Sequence, residues 1–379
     1  MVLTILGPEF AFAFAAGQRC NAKRTLASLR EMGHHEWTLR HCFYANMGGF
    51  VLQPRDSVPF PIHGLHLIWL LEQKYLELPD ITAEEIYDKS KATSFTKSLV
   101  CLQIGWFVLQ CFGRAAQGLP LITLELFTIS YVWCTWAIYA AWLRKPLDVE
   151  TPTILKIEAS TEEILVNAGS AASKPYRQTP LDFVWNGSQS WTLDVQPFFG
   201  FRVDPRKRPM PRMLNDGLPW FSEAKDAGAA IVVILIYGAV HLAGWNFVFP
   251  TRTERTLWRT AALILLCTVA FFCFWVLAWE VVRAAYFLRI NKIKIRPRSI
   301  YFVYTGHIEK LSATPDMLLH DKGFEDIVVT KAHIFVMVPV GILYVLSRLF
   351  ITVEALASLR GLPRGAYENV KWTNFIPHY

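Results

Sequence analysis

The sequence predicts an all-α polytopic transmembrane helical bundle of about five to six spans, with cytosolic insertions of which one is partly β. Three observations predict it. Charged residues make up 18% of the 379 positions against 53% hydrophobic ones, below the quarter expected of a soluble domain. The apolar residues gather in runs at 98–118, 119–143, 227–249, 260–282 and 333–351, each near the ~20 residues that cross a ~30 Å hydrocarbon layer. These runs lack the strict alternation of a β-barrel. Finally, basic residues crowd three long connections, which share one side if each run spans once.

Taken in order, residues 1–17 (MVLTILGPEFAFAFAAG) form a short apolar helix, either a span or an interfacial segment. Pro8, Glu9 and the lack of a basic leader argue against a signal peptide. Residues 18–97 read as a cytosolic helical segment holding Arg19, Lys23, Arg24 and Arg30. There, NAKRTLASLREMG predicts a helix from Asn21 to Gly33, and TAEE (82–85) has the capping-box pattern. A transmembrane hairpin follows at 98–143. Residues 144–226 are a cytosolic insertion, in which TILKIEA, EEILVNA, LDFVW and SWTLDV read as short strands. A second hairpin occupies 227–282, a basic cytosolic loop 283–332, the last span 333–354 and a tail 355–379. Pro339 and Gly341 predict a kink in that last span.

The positive-inside rule puts the three long segments in the cytosol, although Arg252, Arg255 and Arg259 on a short opposite loop weaken the asymmetry. On that side Arg206, Lys207 and Arg208 in DPRKRPMPR fit anionic lipid headgroups, or else a solvated Pro-rich linker. The net charge of +7 is thus read as membrane orientation, and no nucleic-acid partner is expected. The sequon at Asn186 would lie out of reach of lumenal glycosylation. The seven cysteines give no disulfide framework, since five lie in apolar runs, where Cys behaves as a small hydrophobe.

The candidate chemistry sits in the first hairpin. Gly118–Leu119–Pro120 should reverse the chain, which leaves Arg114 and Glu125 at similar depth on neighbouring helices and predicts an ion pair. Gln103, Gln110, Arg114 and Gln117 share one helical face, and Glu125, Thr128, Thr135 and Tyr139 share one on the partner. Such facing stripes make an interhelical seam or the wall of a wet cavity. In the second hairpin Tyr237 and His241 lie one turn apart, and Glu280 with Arg283 suits a rim pair. The candidate catalytic residues are therefore Glu125 as acid–base, Arg114, Gln110 and His241. The alternative is that these groups only hold the helices together.

Other chemistries lack their signatures. His34, His35, Glu36, His41, His63 and His66 do not form the H-x-x-x-H and H-x-x-H-H boxes of membrane di-iron oxygenases, so no metal is assigned. EEIYD (84–88) has no second acidic cluster to hold magnesium pyrophosphate. P-loop, GxGxxG and GxSxG motifs are missing, and no cofactor is implied.

Several blocks together, GPEF with AAGQ (7–18), MGGFVLQPRD (47–56), DKSKA (88–92), LQIGWFVLQCFGRAAQGLPLITLEL (102–126), RKPLDVETP (144–152) and WTNFIPHY (372–379), carry a resemblance. The chain resembles a large family of fungal multi-pass membrane proteins, some encoded beside genes of secondary metabolism. Members commonly carry a further apolar segment before GPEF. The resemblance implies a fold and a fungal source, and it implies no reaction; as a multi-pass integral membrane protein the chain is expected in the endoplasmic reticulum or another endomembrane. Two functions follow as expectations. One is an enzyme or accessory factor acting on a hydrophobic substrate of fungal secondary metabolism. The other is a non-enzymatic transporter, channel or assembly factor.

Overall fold

The computed structural model describes residues 7–88, 91–146, 149, 151–173, 176, 179–185, 209, 224–291 and 330–375. Arg206–Arg208, Asn186, the SWTLDV segment and the side chains of Glu280 and Arg283 lie outside what is described. A small α/β body caps one end of a helical bundle.

The first helix, α1 (Pro8–Glu31), belongs to both parts. Pro8 occupies its first turn, where a missing N–H is tolerated. It runs through Asn21 without a break and stops at Met32, with Gly33 at φ 92°. The expected end near Gly33 is thus observed and the expected start is not: the charges of 18–31 continue the apolar helix instead of opening a new one.

The body comprises α2 (Leu39–Asn46), β1 (Phe50–Gln53), β2 (Phe60–Ile62), α3 (Gly64–Glu72) and α4 (Ala83–Asp88). To these the chain adds β3 (Thr153–Lys156) and α7 (Thr161–Ala168) after the first hairpin. β1 lies at the centre of the sheet, antiparallel to β2 and parallel to β3, with Phe50 opposite both Ile62 and Thr153. One sheet thereby joins the segments on either side of the hairpin, which brings both to the same end of the bundle. Its core packs Leu29, Trp37, Phe43, Phe50, Leu52, Phe60, Leu67 and Leu70. Trp37 stacks on Phe50 at 5.9 Å and Tyr44 meets the same ring edge-on at 5.2 Å. Gly49 lets Tyr44 approach, since a Cβ there would lie 2.4 Å from its ring.

The expected capping box at α4 is present: Thr82 N donates to Glu85 Oε2 at 2.9 Å, and Glu85 N donates to Thr82 Oγ1 at 3.2 Å. TILKIEA supplies β3 as expected, but EEILVNA is the helix α7. Ser160 and Glu163 form a reciprocal cap, and the Asp56 carboxylate accepts from Thr161 N at 2.7 Å. Those backbone N–H groups hold Asp56 below its ordinary range. Local capping therefore overrides the β-favouring Ile–Leu–Val run. LDFVW is likewise a 3-10 turn, Asp182–Trp185, in which the Asp182 carboxylate accepts from Thr179 N at 3.0 Å.

The bundle contains α5 (Lys91–Ala116), α6 (Thr123–Ala141), α8 (Ala224–Val240), α9 (Arg252–Asn291) and α10 (Thr330–Ala357). A 3-10 turn, His241–Asn246, continues α8. Among the described residues four helices are long and apolar enough to cross a membrane: Ser98–Ala116, Lys225–Asn246, Arg252–Trp275 and Phe335–Gly361. Five to six had been expected. The 119–143 run is the helix α6, but Glu125 and its Thr, Ser, Tyr and Trp residues lower its hydropathy. α1 carries Glu9 together with its basic second half.

At the body end, α1, α6 and α8 are tied at one level. Arg19 donates to Ala140 O at 2.9 Å, Gln18 accepts from Trp142 and Lys145, and Lys23 pairs with Asp226 at 2.8 Å. At the opposite end Pro120–Thr123, Asn246–Val248, Ser358 and Leu362–Pro363 line a cleft of about 210 Å³. The hairpin turn, the short loop before α9 and the tail therefore meet there.

Candidate functional site: a buried polar cluster between four helices

Among the described residues, three groups of buried polar side chains matter for a site, and they differ in what satisfies them.

The first is the hairpin pair. Arg114 Nε lies 3.5 Å from Glu125 Oε1, so the expected pair forms. Yet the guanidinium spends its hydrogen bonds elsewhere. Nη1 donates to Glu368 O at 2.7 Å, and Nη2 faces Pro120 O, Gly365 O and Ala366 O at 3.0–3.2 Å. Glu125 Oε2 accepts from Ile122 N at 3.0 Å, closing the first turn of α6. Arg114 thus fastens the tail over the turn, and Glu125 serves as a helix cap. Gln110 is exposed on α5, one turn before Arg114.

The second group is the set of body histidines. His41 Nδ1 accepts from Thr38 N at 3.0 Å while Nε2 faces Ile81 O at 2.9 Å. His63 Nδ1 accepts from Leu65 N, and His66 Nδ1 accepts from His63 N. The rings cap helices, as Ser or Thr would. Burial pushes His41 and His63 below the usual range and brings His66 to about 4. Among the described residues no three His, Cys, Asp or Glu side chains converge in a way that could hold a metal ion.

The third group lies inside the bundle, where α1, α6, α8 and α10 supply one residue or more each. Arg348 of α10 is fully buried. Its Cζ lies 4.8, 4.9 and 5.3 Å from the rings of Phe127, Tyr131 and Tyr237, within cation–π range. Nη1 sits 3.2 Å from His241 Nε2, and Ser130 Oγ is 3.5 Å from the same nitrogen. Arginine can only donate, so Nε2 accepts and the proton of a neutral ring is on Nδ1. Nδ1 then donates to Tyr237 O at 3.2 Å. Glu9 of α1 is buried and accepts a hydrogen bond from the Tyr344 hydroxyl, one turn before Arg348. Among the described residues, Arg348 Nε and Nη2, and Glu9 Oε2, meet no partner at hydrogen-bond geometry. A guanidinium, a carboxyl, a neutral imidazole and a phenol thus meet behind aromatic walls. Such a set can bind a polar group and pass a proton.

Of the sequence candidates, His241 belongs to this cluster, Arg114 and Glu125 belong to the hairpin clamp, and Gln110 belongs to neither. Sequence reasoning missed Arg348, Glu9 and Tyr344. Arg348 was detectable by the rule that selected Arg114, being an ionisable residue inside an apolar run.

A family model matches residues 13–174 and 217–379. The chain belongs to a family of unknown function (DUF8562). The matched stretches take in the body, the hairpin clamp, His241 and Arg348, and Glu9 lies just before the first of them. No curated protein matches the chain, and no solved structure matches it.

Proposed function

We propose that this is a multi-pass membrane protein that handles a hydrophobic small molecule, engaging its polar group at Arg348, His241, Glu9 and Tyr344 near the bilayer midplane. Depth supports the reading. Glu9, Ser130 and Tyr237 each lie about 15 Å along their helices from the level marked by Arg19, Ala140 and Asp226, half of a ~30 Å hydrocarbon layer. The observation that carries it is Arg348, a fully buried guanidinium among Phe127, Tyr131 and Tyr237, with two donor nitrogens that meet no acceptor at hydrogen-bond geometry among the described residues. An ionisable group at that depth is costly to bury, which makes it a functional candidate by default. The Glu9–Tyr344 pair would exchange a proton with the bound group if the step is enzymatic. The resemblance to fungal proteins near genes of secondary metabolism makes a lipophilic metabolite in an endomembrane the natural substrate, with the body on the cytosolic side.

The test is deletion in the native host, followed by profiling of lipophilic metabolites and complementation. The intact gene should restore the profile. Glu9→Gln and Arg348→Lys, if expressed at normal level, should not. Full restoration by both would remove the cluster from function. A second reading, non-enzymatic transport or assembly, is favoured by the cluster joining four helices, as interhelical glue does. It would show as an altered distribution of metabolites between cell and medium rather than accumulation of one compound.

A further inference from the structure

One helix face carries three amides, and among the described residues only one of them finds its partners. Gln103, Gln110 and Gln117 recur every seven residues along α5 and the turn after it, and so lie on one stripe. Gln117 is satisfied at both ends of its amide. Its Nε2 donates to Lys371 O at 2.8 Å and its Oε1 accepts from Lys371 N at 3.1 Å. The next residue, Trp372, lies against Trp106 at 5.2 Å and over Gly113. Gln103 and Gln110 are exposed and bond to no described residue. Around them Leu99, Leu102, Trp106 and Leu109 are also exposed, at the 3–4 residue spacing of a helix-pairing seam. Ser98–Ala116 is among the four helices apolar enough to cross a membrane. In hydrocarbon an amide without a partner is costly, and interhelical bonds between such side chains drive association.

We infer that this face of α5 pairs with the same face of a second copy of the chain. Two copies inserted with one topology are related by an axis along the membrane normal, so their α5 helices run parallel and equal residues meet at equal depth. Gln103 then faces Gln103 of the other copy, and Gln110 faces Gln110. A primary amide carries both donor and acceptor, so each pair is self-complementary, as the Gln117–Lys371 pair is within one chain. The neighbouring leucines and Trp106 pack across the seam. The hairpin clamp fixes the far end of α5, which presents the stripe as a rigid surface.

The inference is independent of the function proposed above and is tested on the full chain in native membranes. In a parent with Cys101→Ser and Cys267→Ser, Gln103→Cys should give a disulfide-linked homodimer on mild oxidation. Ile104→Cys, on the neighbouring face, should not. Gln103→Leu with Gln110→Leu changes exposed side chains alone and should leave expression intact. It should weaken dimerisation about tenfold by single-molecule photobleaching. Equal cross-linking at 103 and 104 would overturn the inference. So would an adduct with another protein, a monomer whose tail protects position 103, or an undiminished dimer in the double variant.

Discussion

The body and the bundle bury opposite things. In the body the interior is aromatic and aliphatic, and its buried polar side chains are neutral groups that cap helices, such as His41, His63 and Asn46. In the bundle the interior holds Arg348, Glu9 and Arg114, while large apolar side chains face outward, with Leu102 71% and Phe112 70% exposed. An apolar exterior is ordinary in small amounts, but a helix face of this size needs something to cover it. The difference teaches that the two halves obey different solvents. One hides carbon from water; the other, on the membrane reading proposed above, would present carbon to lipid and hide its charges.

The largest effect that could break this contrast lies at Arg348. Replacing it by Met leaves Glu9 without its cationic neighbour and His241 Nε2 without its donor. It should destabilise the bundle by about 3–5 kcal/mol, read from unfolding in mixed detergent. Adding Glu9→Gln should recover part of that loss. A single variant as stable as the parent would mean that the charge is not held in a dry interior.

Next comes the hairpin clamp. Arg114→Met leaves the Pro120, Gly365, Ala366 and Glu368 carbonyls without their donor, a cost of about 3 kcal/mol. Glu125→Gln should cost less than about 1 kcal/mol, because Gln can still cap Ile122 N. The double variant should therefore resemble Arg114→Met. A rescue by Glu125→Gln would show instead that the ion pair dominates.

The body should respond to pH through its buried histidines. His66 is fully buried, its usual value of 6.5 lowered to about 4 by burial, and His63 is lowered in the same sense. The folded state thus binds protons less readily than the unfolded one. Stability is complete above about pH 6.5 and falls as pH drops toward 4, by on the order of 3 kcal/mol for His66. Near-ultraviolet circular dichroism of the full chain would follow it, and His66→Asn should flatten the slope. An unchanged slope would show that the acid sensitivity originates elsewhere.

The smallest effect is local. Lys74 ends α3 with φ 60°, an unfavourable conformation for a residue with a side chain. Lys74→Gly should stabilise the body by about 0.5–1 kcal/mol. A loss of stability would mean that the lysine stem packs usefully there.

Much of this fold was legible in composition, and less of the site. Long apolar runs fix helices strongly because every backbone group is satisfied within the segment. That is why 98–118, 227–249, 260–282 and 333–351 all correspond to observed helices. Short stretches were decided by partners distant in sequence. EEILVNA became α7 through Asp56, about a hundred residues away, and β2 was missed because FPI is too short to carry periodicity. The Arg114–Glu125 pair was readable from the turn between them. That Arg114 mainly serves the tail was not, because its acceptors are backbone carbonyls and carry no sequence signature. Likewise Glu9 and Arg348 lie at opposite ends of the chain, and only the contacts of Glu9 and Phe10 with Tyr344, one turn before Arg348, reveal that they belong together.

The claim that the bundle is built inside out is tested most directly by labelling introduced cysteines in sealed native membranes. In the parent lacking Cys101 and Cys267, cysteine would replace Leu102 and Leu346 on the bundle exterior and Val166 on the body, all exposed positions. A membrane-impermeant maleimide should modify Val166→Cys rapidly once the vesicles are opened. It should leave Leu102→Cys and Leu346→Cys unlabelled until the membranes are dissolved and the protein unfolded in SDS, because a thiol in hydrocarbon does not form the reactive thiolate. Equal labelling of all three by the impermeant reagent would place the bundle exterior in water and contradict the account.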